Sequence, residues 1–173
     1  MESGSNPGGS KKKMKSWDET FLEVAQLFAE RSTCVKRQVG AILVKDKRIL
    51  STGYNGTPSG LCNCDKVFRF GADKVGLLPF VQEGTRFTHH EFAEKFEIHA
   101  EQNCIAFAAK NGINTEGCTM YVTVAPCAQC AKLIIAAGIK KVIYKEPYKN
   151  EDGISLLKIS GIETSELFPS RTL

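Results

Sequence analysis

Two short motifs, each at the expected start of a helix, constrain the fold of this chain more than any other feature. They are His99-Ala100-Glu101 and Pro126-Cys127-Ala128-Gln129-Cys130. An extended segment precedes each motif, and apolar residues at helical spacing follow it. Two cysteines three residues apart at a helix N-terminus lie one turn from each other, so both sulfur atoms can reach one ion. The chain is therefore expected to bring two strand–helix units together at a metal.

His99, Cys127 and Cys130 are the candidate ligands of a catalytic zinc ion. The helix dipole and the free N–H groups at a helix start lower thiol pKa values, which favours the thiolate that zinc requires. Three protein ligands leave a fourth position for water, as in catalytic and not in closed structural zinc sites. Zinc lowers the pKa of its bound water to roughly 7. Glu101 is placed to take the proton of that water and pass it to the reacting group.

Each motif alone has a plainer interpretation. A lone CxxC can be a thioredoxin-like redox pair, and a lone histidine before a helix is usually a satisfied core or surface residue. The pair could also form a non-catalytic zinc module, but such a module has no use for a general base at Glu101. Together, HxE followed by PCxxC is similar to the signature of zinc-dependent nucleobase deaminases.

The remaining pattern predicts one α/β domain over residues 16–173. Residues 1–15 are rich in Gly, Ser and Lys and are expected to be a disordered tail or an expression remnant. Alternating helices and strands in the second half predict a sandwich with a partly parallel sheet covered on both faces. Helices are expected at 16–31, 98–110, 126–138 and 152–159, and strands at 39–44, 48–53, 119–123, 141–144 and 162–167. Residues 61–96 show no regular pattern.

Charge and composition narrow the class of substrate. The net charge is +4, and four lysines of the tail account for it, so the domain itself is close to neutral. A nucleic-acid groove needs a larger basic excess, which makes a small anionic substrate the better interpretation. No apolar run is long enough to span a bilayer or to serve as a secretory signal, so a cytoplasmic protein without a membrane partner is expected.

The cysteines indicate metal binding and not a disulfide framework. The chain has seven cysteines, an odd number. Cys104 and Cys118 fall in regular elements and are expected in the core. Cys34 follows the first helix, and two of the three histidines, His89 and His90, lie in the irregular stretch. That stretch has little apolar content, so a closed four-ligand metal site would be needed to hold it. The alternative is ordinary polar loop residues beside a small buried cysteine.

At these residues the chain resembles the deoxycytidylate (dCMP) deaminase family. The resemblance covers residues 16–168, nearly the whole expected domain. The HAE and PCxxC motifs are shared across the cytidine deaminase superfamily, whereas GYNG-x-P-x-G points to the dCMP branch. The matching segments are IHAEQN at 98–103, PCAQCAK at 126–132, GYNGTPSG at 53–60, and RSTC at 31–34 leading to VGA at 39–41.

The resemblance implies a three-layer α/β/α fold with a mixed sheet of about five strands, usually assembled as a hexamer. It implies zinc-dependent hydrolysis of dCMP to dUMP ahead of thymidylate synthesis. Alternatives within the superfamily are dCTP, free cytidine or an exposed base in tRNA, and the sparse basic surface argues against nucleic acid.

The resemblance also assigns the substrate site. It places Asn55 against the deoxyribose and Ala100 in the substrate-binding set. The phosphate is expected near Lys36, with the neighbouring Arg37 as a rival, and near Tyr148.

Further family features concern a second ion and regulation. Some phage-type relatives hold a second, structural zinc, and matching their pattern selects Cys34, Cys64, His89 and Glu97, with Cys62 and His90 as neighbouring alternatives. Many relatives are activated by dCTP and inhibited by dTTP at subunit interfaces. The residues that correspond to such an effector site are Gly53, Tyr54, Phe107 and Lys110. Each can also be interpreted as an ordinary turn, core or helix-capping residue.

Overall fold

A computed structural model describes residues 14–75 and 86–168 of the chain. Most of the expected tail, residues 1–13, lies outside them. The six helices are α1 (Trp17–Ala29), α2 (Cys64–Phe70), α3 (His89–Phe96), α4 (Ala100–Lys110), α5 (Ala128–Ala136) and α6 (Asp152–Ile159) among the described residues. The strands there are β1 (Gly40–Lys45), β2 (Arg48–Tyr54), β3 (Thr119–Val124), β4 (Lys141–Glu146) and β5 (Glu163–Glu166).

The five strands form one mixed sheet in the order β2-β1-β3-β4-β5. β1 pairs antiparallel with β2 and β3, whereas β3, β4 and β5 run parallel. The β1–β2 hairpin turns at Asp46 and Lys47, whose φ angles are 50° and 58°. Two positive φ values in a two-residue turn match the right-handed twist of the flanking strands. The expected partly parallel α/β sheet is confirmed.

Helices cover both faces of the sheet, which confirms the three-layer α/β/α fold. Alternate residues of β1 face opposite ways, as the two-residue period of a strand requires. Ile42 and Val44 pack with α1 in one cluster, whereas Ala41 and Leu43 pack with α4, α5 and α6 in the other. Among the described residues, no helix is long and apolar enough to cross a membrane.

Gly53 allows α4 to lie directly on β2. A Cβ atom at this position would come within 2.4 Å of the Ala100 carbonyl oxygen and of the Cys104 backbone nitrogen. Because backbone atoms on both sides cannot yield, only glycine fits this approach. The close packing fixes the N-terminal turn of α4, where His99 and Glu101 lie.

The expectation of an irregular stretch at residues 61–96 is wrong for most of the residues that the structure describes there. Helices α2 and α3 and a short 3-10 turn, Ala72–Lys74, lie there, and residues 76–85 are outside the described part. α3 begins with a capping box, in which the Thr88 hydroxyl accepts from the Glu91 N–H and the Glu91 carboxylate accepts from the Thr88 N–H. The two helices bury a cluster of their own, which contains Cys64, Val67, Phe92 and Phe96.

Candidate metal centres and their cavity

Three predicted ligands meet where α4 and α5 begin. His99 is the N-cap residue of α4 and Cys127 is the N-cap residue of α5, with Cys130 one turn further on. The Nδ1 atom of His99 lies 3.6 Å from the Cys127 sulfur and 3.3 Å from the Cys130 sulfur. Ligands of a tetrahedral zinc with ordinary bond lengths are separated by about 3.6 Å. The three donors therefore fit one zinc ion.

The electrostatics of this cluster favour a thiolate. The hydrogen bond from the Cys130 thiol, and a further one with His99, lower the pKa of Cys127 to about 3. The same contact with Cys127, together with burial, raises the pKa of Cys130. Hydrogen bonding to Cys127 raises the pKa of His99. The lowered pKa of Cys127 favours its thiolate form, which is the form that binds a zinc ion.

Glu101 lies in the first turn of α4 and is 4% exposed. Burial raises the pKa of its carboxyl group, although the positive charge of nearby His99 opposes the shift. A raised pKa makes a carboxylate a better proton acceptor, as a general base requires. This is the property expected of a group that transfers protons beside the metal cluster.

A cavity of about 690 Å³, the main cavity, opens over this cluster. Its size is in the range of small-molecule sites. The predicted substrate residues Asn55, Ala100 and Tyr148 line it, together with His99, Glu101 and Cys127. Of the two rival cations, Arg37 lines the main cavity and Lys36 does not.

Asn55 holds the backbone that carries Arg37. Its side-chain oxygen accepts from the Val39 N–H at 2.8 Å, and its amide nitrogen donates to the Arg37 carbonyl at 3.0 Å. The Arg37 guanidinium donates to the Glu146 carboxylate at 2.8 Å. Arg37 is thus held at its backbone by one residue and at its side chain by another.

The four residues chosen for a second ion also come together. One donor atom from each of Cys34, Cys64, His89 and Glu97 lies within 4.8 Å of the others. The Oε1 atom of Glu97 is buried without a hydrogen-bond partner among the described residues. A buried carboxylate oxygen that bonds nothing is costly unless a cation binds it, so the donor set fits a closed metal site.

The surroundings of this second cluster bury one thiol and orient the imidazole. Burial, with smaller contributions from the nearby Glu97 and Cys34, raises the pKa of Cys64 to about 12. The Phe68 ring stacks on His89 with their centroids 5.6 Å apart, which orients the imidazole. The two alternative ligands, Cys62 and His90, do not place a donor atom in this cluster. Cys62 packs beside the cluster, and the His90 imidazole lies 3.5 Å from the Glu94 carboxylate.

The residues expected to bind effectors are divided between two places. Gly53 packs on α4, and Tyr54 lines a second cavity of about 380 Å³ formed by the GYNG loop. Phe107 is 48% exposed on α4, where the helical pattern favoured a core position, and Lys110 is exposed at the end of the same helix. Cys104 and Cys118 are fully buried, as expected.

Sequence reasoning missed several residues of the main cavity. Gln129, Lys149 and Asn150 line it, and so do His90 and Glu94 from α3. Lys149 directly follows the predicted Tyr148, and its ammonium group lies 5.7 Å from the centre of that ring. Proximity to Tyr148 was a signal that could have identified Lys149.

Comparison with known proteins of similar sequence identifies the family of the chain. A family model described as "Cytidine and deoxycytidylate deaminase zinc-binding region" matches residues 15–146. The deoxycytidylate deaminase of Enterobacteria phage T2 is 43% identical, with 83% of this chain and 88% of the relative covered. The deoxycytidylate deaminase of Enterobacteria phage T4 is 40% identical, with 83% and 86% covered.

Among solved structures, the chain is similar to the dCMP deaminase of cyanophage S-TIM5 in complex with dCMP and dUMP. The TM-score is 0.69 at 34% identity, and the match covers 90% of this chain and 100% of the other. Since the family model spans most of the chain and two relatives are similar over most of their length, the chain belongs to the zinc-binding cytidine and deoxycytidylate deaminase family.

Proposed function

We propose that this protein hydrolyses dCMP to dUMP and ammonia. The observation that carries the proposal is one cavity that joins a three-donor zinc site, the buried Glu101 and the cation Arg37. The zinc site and Glu101 supply the groups that deamination requires, and Arg37 supplies a cation that can bind a phosphate. The phage relatives named deoxycytidylate deaminase, and the solved neighbour that holds dCMP and dUMP, support the choice of substrate.

The residues of the chain divide the chemistry between them. His99, Cys127 and Cys130 would hold the zinc, which supplies Lewis-acid activation of a water molecule at neutral pH. Glu101 takes one proton from the attacking water and delivers it to the pyrimidine ring nitrogen. It then moves the second proton of the same oxygen to the amine, which leaves as ammonia as the ring carbonyl forms. Its burial excludes bulk water, which strengthens each of these charge interactions. Proton transfer of this kind contributes about 10²- to 10⁴-fold to a rate.

The charges around the main cavity are suited to a monophosphate. Arg37 and Lys149 line the cavity as cations, Glu94 lines it as a carboxylate, and Glu146 pairs with Arg37. Two cations with two carboxylates beside them match a phosphate dianion better than a longer polyphosphate. A phosphate contact also supplies binding energy that a nucleoside lacks.

We predict that Arg37→Gln lowers kcat/KM for dCMP by about 10- to 100-fold, because it removes a charge-assisted hydrogen bond. The value for deoxycytidine, which has no phosphate, should change little. The measurement is the initial rate of deamination on both substrates, with Lys36→Gln to separate the rival cations. Arg48→Gln is the matched control. Arg48 is exposed at the start of β2, at the opposite end of that strand from Asn55.

Two outcomes would oppose this assignment. Equal kcat/KM for dCMP and deoxycytidine in the wild-type protein would refute the phosphate handle. A loss on dCMP in Lys36→Gln, with Arg37→Gln unaffected, would move the phosphate site to Lys36. A panel that includes cytidine and dCTP would identify a different cytosine substrate.

We also propose two zinc ions per chain, one catalytic and one structural. The second would be held by Cys34, Cys64, His89 and Glu97, and the unpartnered Glu97 oxygen is the main support. Four protein ligands close a site to water, which is typical of structural zinc. Because α2 and α3 bury only a small cluster, a metal bond would contribute to holding them on the domain.

Regulation and assembly form the last part of the proposal. We propose a homohexamer that is activated by dCTP and inhibited by dTTP, and that supplies dUMP for thymidylate synthesis. The exposed Phe107 and the second cavity beside Tyr54 leave apolar and polar surface for a neighbouring subunit and an effector. Addition of dCTP or dTTP to the dCMP assay is the corresponding measurement.

A further inference from the structure

The carboxylate of Glu146 lies directly against the cation that lines the main cavity. Its Oε2 atom accepts a hydrogen bond from Nη2 of Arg37 at 2.8 Å, with the two side chains 52% and 46% exposed. Glu146 itself is not among the residues that line the main cavity. The guanidinium has five N–H donors in one plane, so it can bind Glu146 and still offer donors to the cavity.

Glu146 is anchored on a rigid part of the fold. It is the last residue of β4 and stands in register with Val124 of β3. Its carbonyl accepts from the Ala125 N–H at 2.8 Å, immediately before the segment that carries Cys127. The backbone of Glu146 is thus held within the sheet, and its carboxylate is held beside the cavity by the pair with Arg37.

We infer that Glu146 is a specificity-determining residue that limits the substrate to one phosphate. This inference rests on the proposed function, in which Arg37 binds the 5′-phosphate. A phosphate bound on the cavity side of Arg37 has Glu146 on another edge of the same guanidinium. Each further phosphate adds negative charge within reach of this carboxylate, and the repulsion grows with the charge of the nucleotide.

Comparison of two nucleotides separates this role from simple positioning of Arg37. If Glu146 only orders the Arg37 side chain, its removal changes the binding of every 5′-phosphorylated substrate by the same factor. Repulsion, in contrast, acts more strongly on dCDP than on dCMP. The ratio of kcat/KM for dCDP to kcat/KM for dCMP therefore reports the charge effect alone.

The experiment measures this ratio in wild-type protein, Glu146→Gln and Glu146→Lys. dCTP is left out because it is a proposed effector. Removal of the charge should raise the ratio about two- to fivefold, and its reversal should raise it further, with both effects smaller at high salt. Glu163→Gln is the matched control, since Glu163 is an exposed carboxylate paired with Lys141 at the other end of β4.

A ratio that rises in the order wild type, Gln, Lys, with Glu163→Gln unchanged, supports the inference. A ratio that is unchanged or falls in both Glu146 variants overturns it, even if wild-type protein deaminates dCMP well. If wild-type protein does not deaminate dCMP, the proposed function itself fails, and the inference fails with it.

Discussion

Replacement of Glu101 with Gln should lower kcat for dCMP by at least about 100-fold while the zinc content stays at the wild-type level. Gln has nearly the same shape and can fill the buried position in α4, but its amide cannot accept and return a proton. Glu101 is not one of the three residues whose donor atoms meet at the first cluster, so its replacement should leave the zinc bound. The measurement pairs steady-state kinetics with metal analysis of the same purified sample.

Cys127→Ala is the contrasting variant for this prediction. It removes a thiolate donor, so both the catalytic zinc and the activity should be lost. Wild-type turnover in Glu101→Gln would refute the proton-transfer role. Loss of the zinc from Glu101→Gln would instead indicate that this carboxylate holds the metal or its surroundings.

Cys34→Ser should lower the zinc content from about two ions to about one per chain, because a closed site with three good ligands binds zinc far more weakly. The catalytic ligands belong to α4 and α5 and are untouched, so part of the activity should persist. The α2–α3 segment should become more accessible to protease, because its metal bond is lost while its own buried cluster is small.

Cys62→Ser provides the matched control for the second ion. Cys62 is half-buried beside the same cluster, but it is not one of the four residues whose donor atoms meet there. Its replacement should therefore leave the zinc content unchanged. About one zinc per chain in wild-type protein, unaffected by Cys34→Ser, would contradict the two-ion proposal. A loss of zinc in Cys62→Ser alone would indicate a different ligand set.

The sequence predicted those parts of the molecule whose signal is local. The HAE and PCxxC motifs lie at helix starts, and capping and dipole effects act within one turn, so the first metal cluster could be located residue by residue. The strands of the sheet followed from short apolar runs bounded by turns.

Helix α3 was missed although its start carries a local signal. Thr88 and Glu91 have the spacing of a capping box. The apolar pattern of α3 consists of Phe92 and Phe96, four residues apart, and it is weak because the helix has only eight residues. Short helices depend on tertiary packing more than on pattern. The ring contacts of Phe92 with Phe68 and Phe87, which lie outside α3, supply that packing here.

Phe107 shows why periodicity does not settle burial at the edge of a helix face. The buried side of α4 is formed by Ala100, Cys104, Ile105 and Ala108. With 3.6 residues per turn, Phe107 points about 90° away from the centre of that side. A side chain at this angle can be buried or exposed. Which of the two occurs depends on whether another element covers it, and the sequence of the helix does not determine that.

The choice between Lys36 and Arg37 depended on long-range contacts. Both are cations in one exposed loop, and no pattern distinguishes them. Arg37 faces the main cavity because Asn55 binds its carbonyl and Glu146 binds its guanidinium. These partners are 18 and 109 residues away in sequence.

Isotope-labelled water tests the central claim, hydrolytic deamination of dCMP, most directly. Wild-type protein with its zinc is incubated with dCMP in H₂¹⁸O, and the product is analysed by mass spectrometry alongside an ammonia assay. The account predicts dUMP that carries a single ¹⁸O atom on the pyrimidine ring, with one ammonia released for each dUMP formed. Absence of dUMP, or dUMP formed without the label, would contradict it.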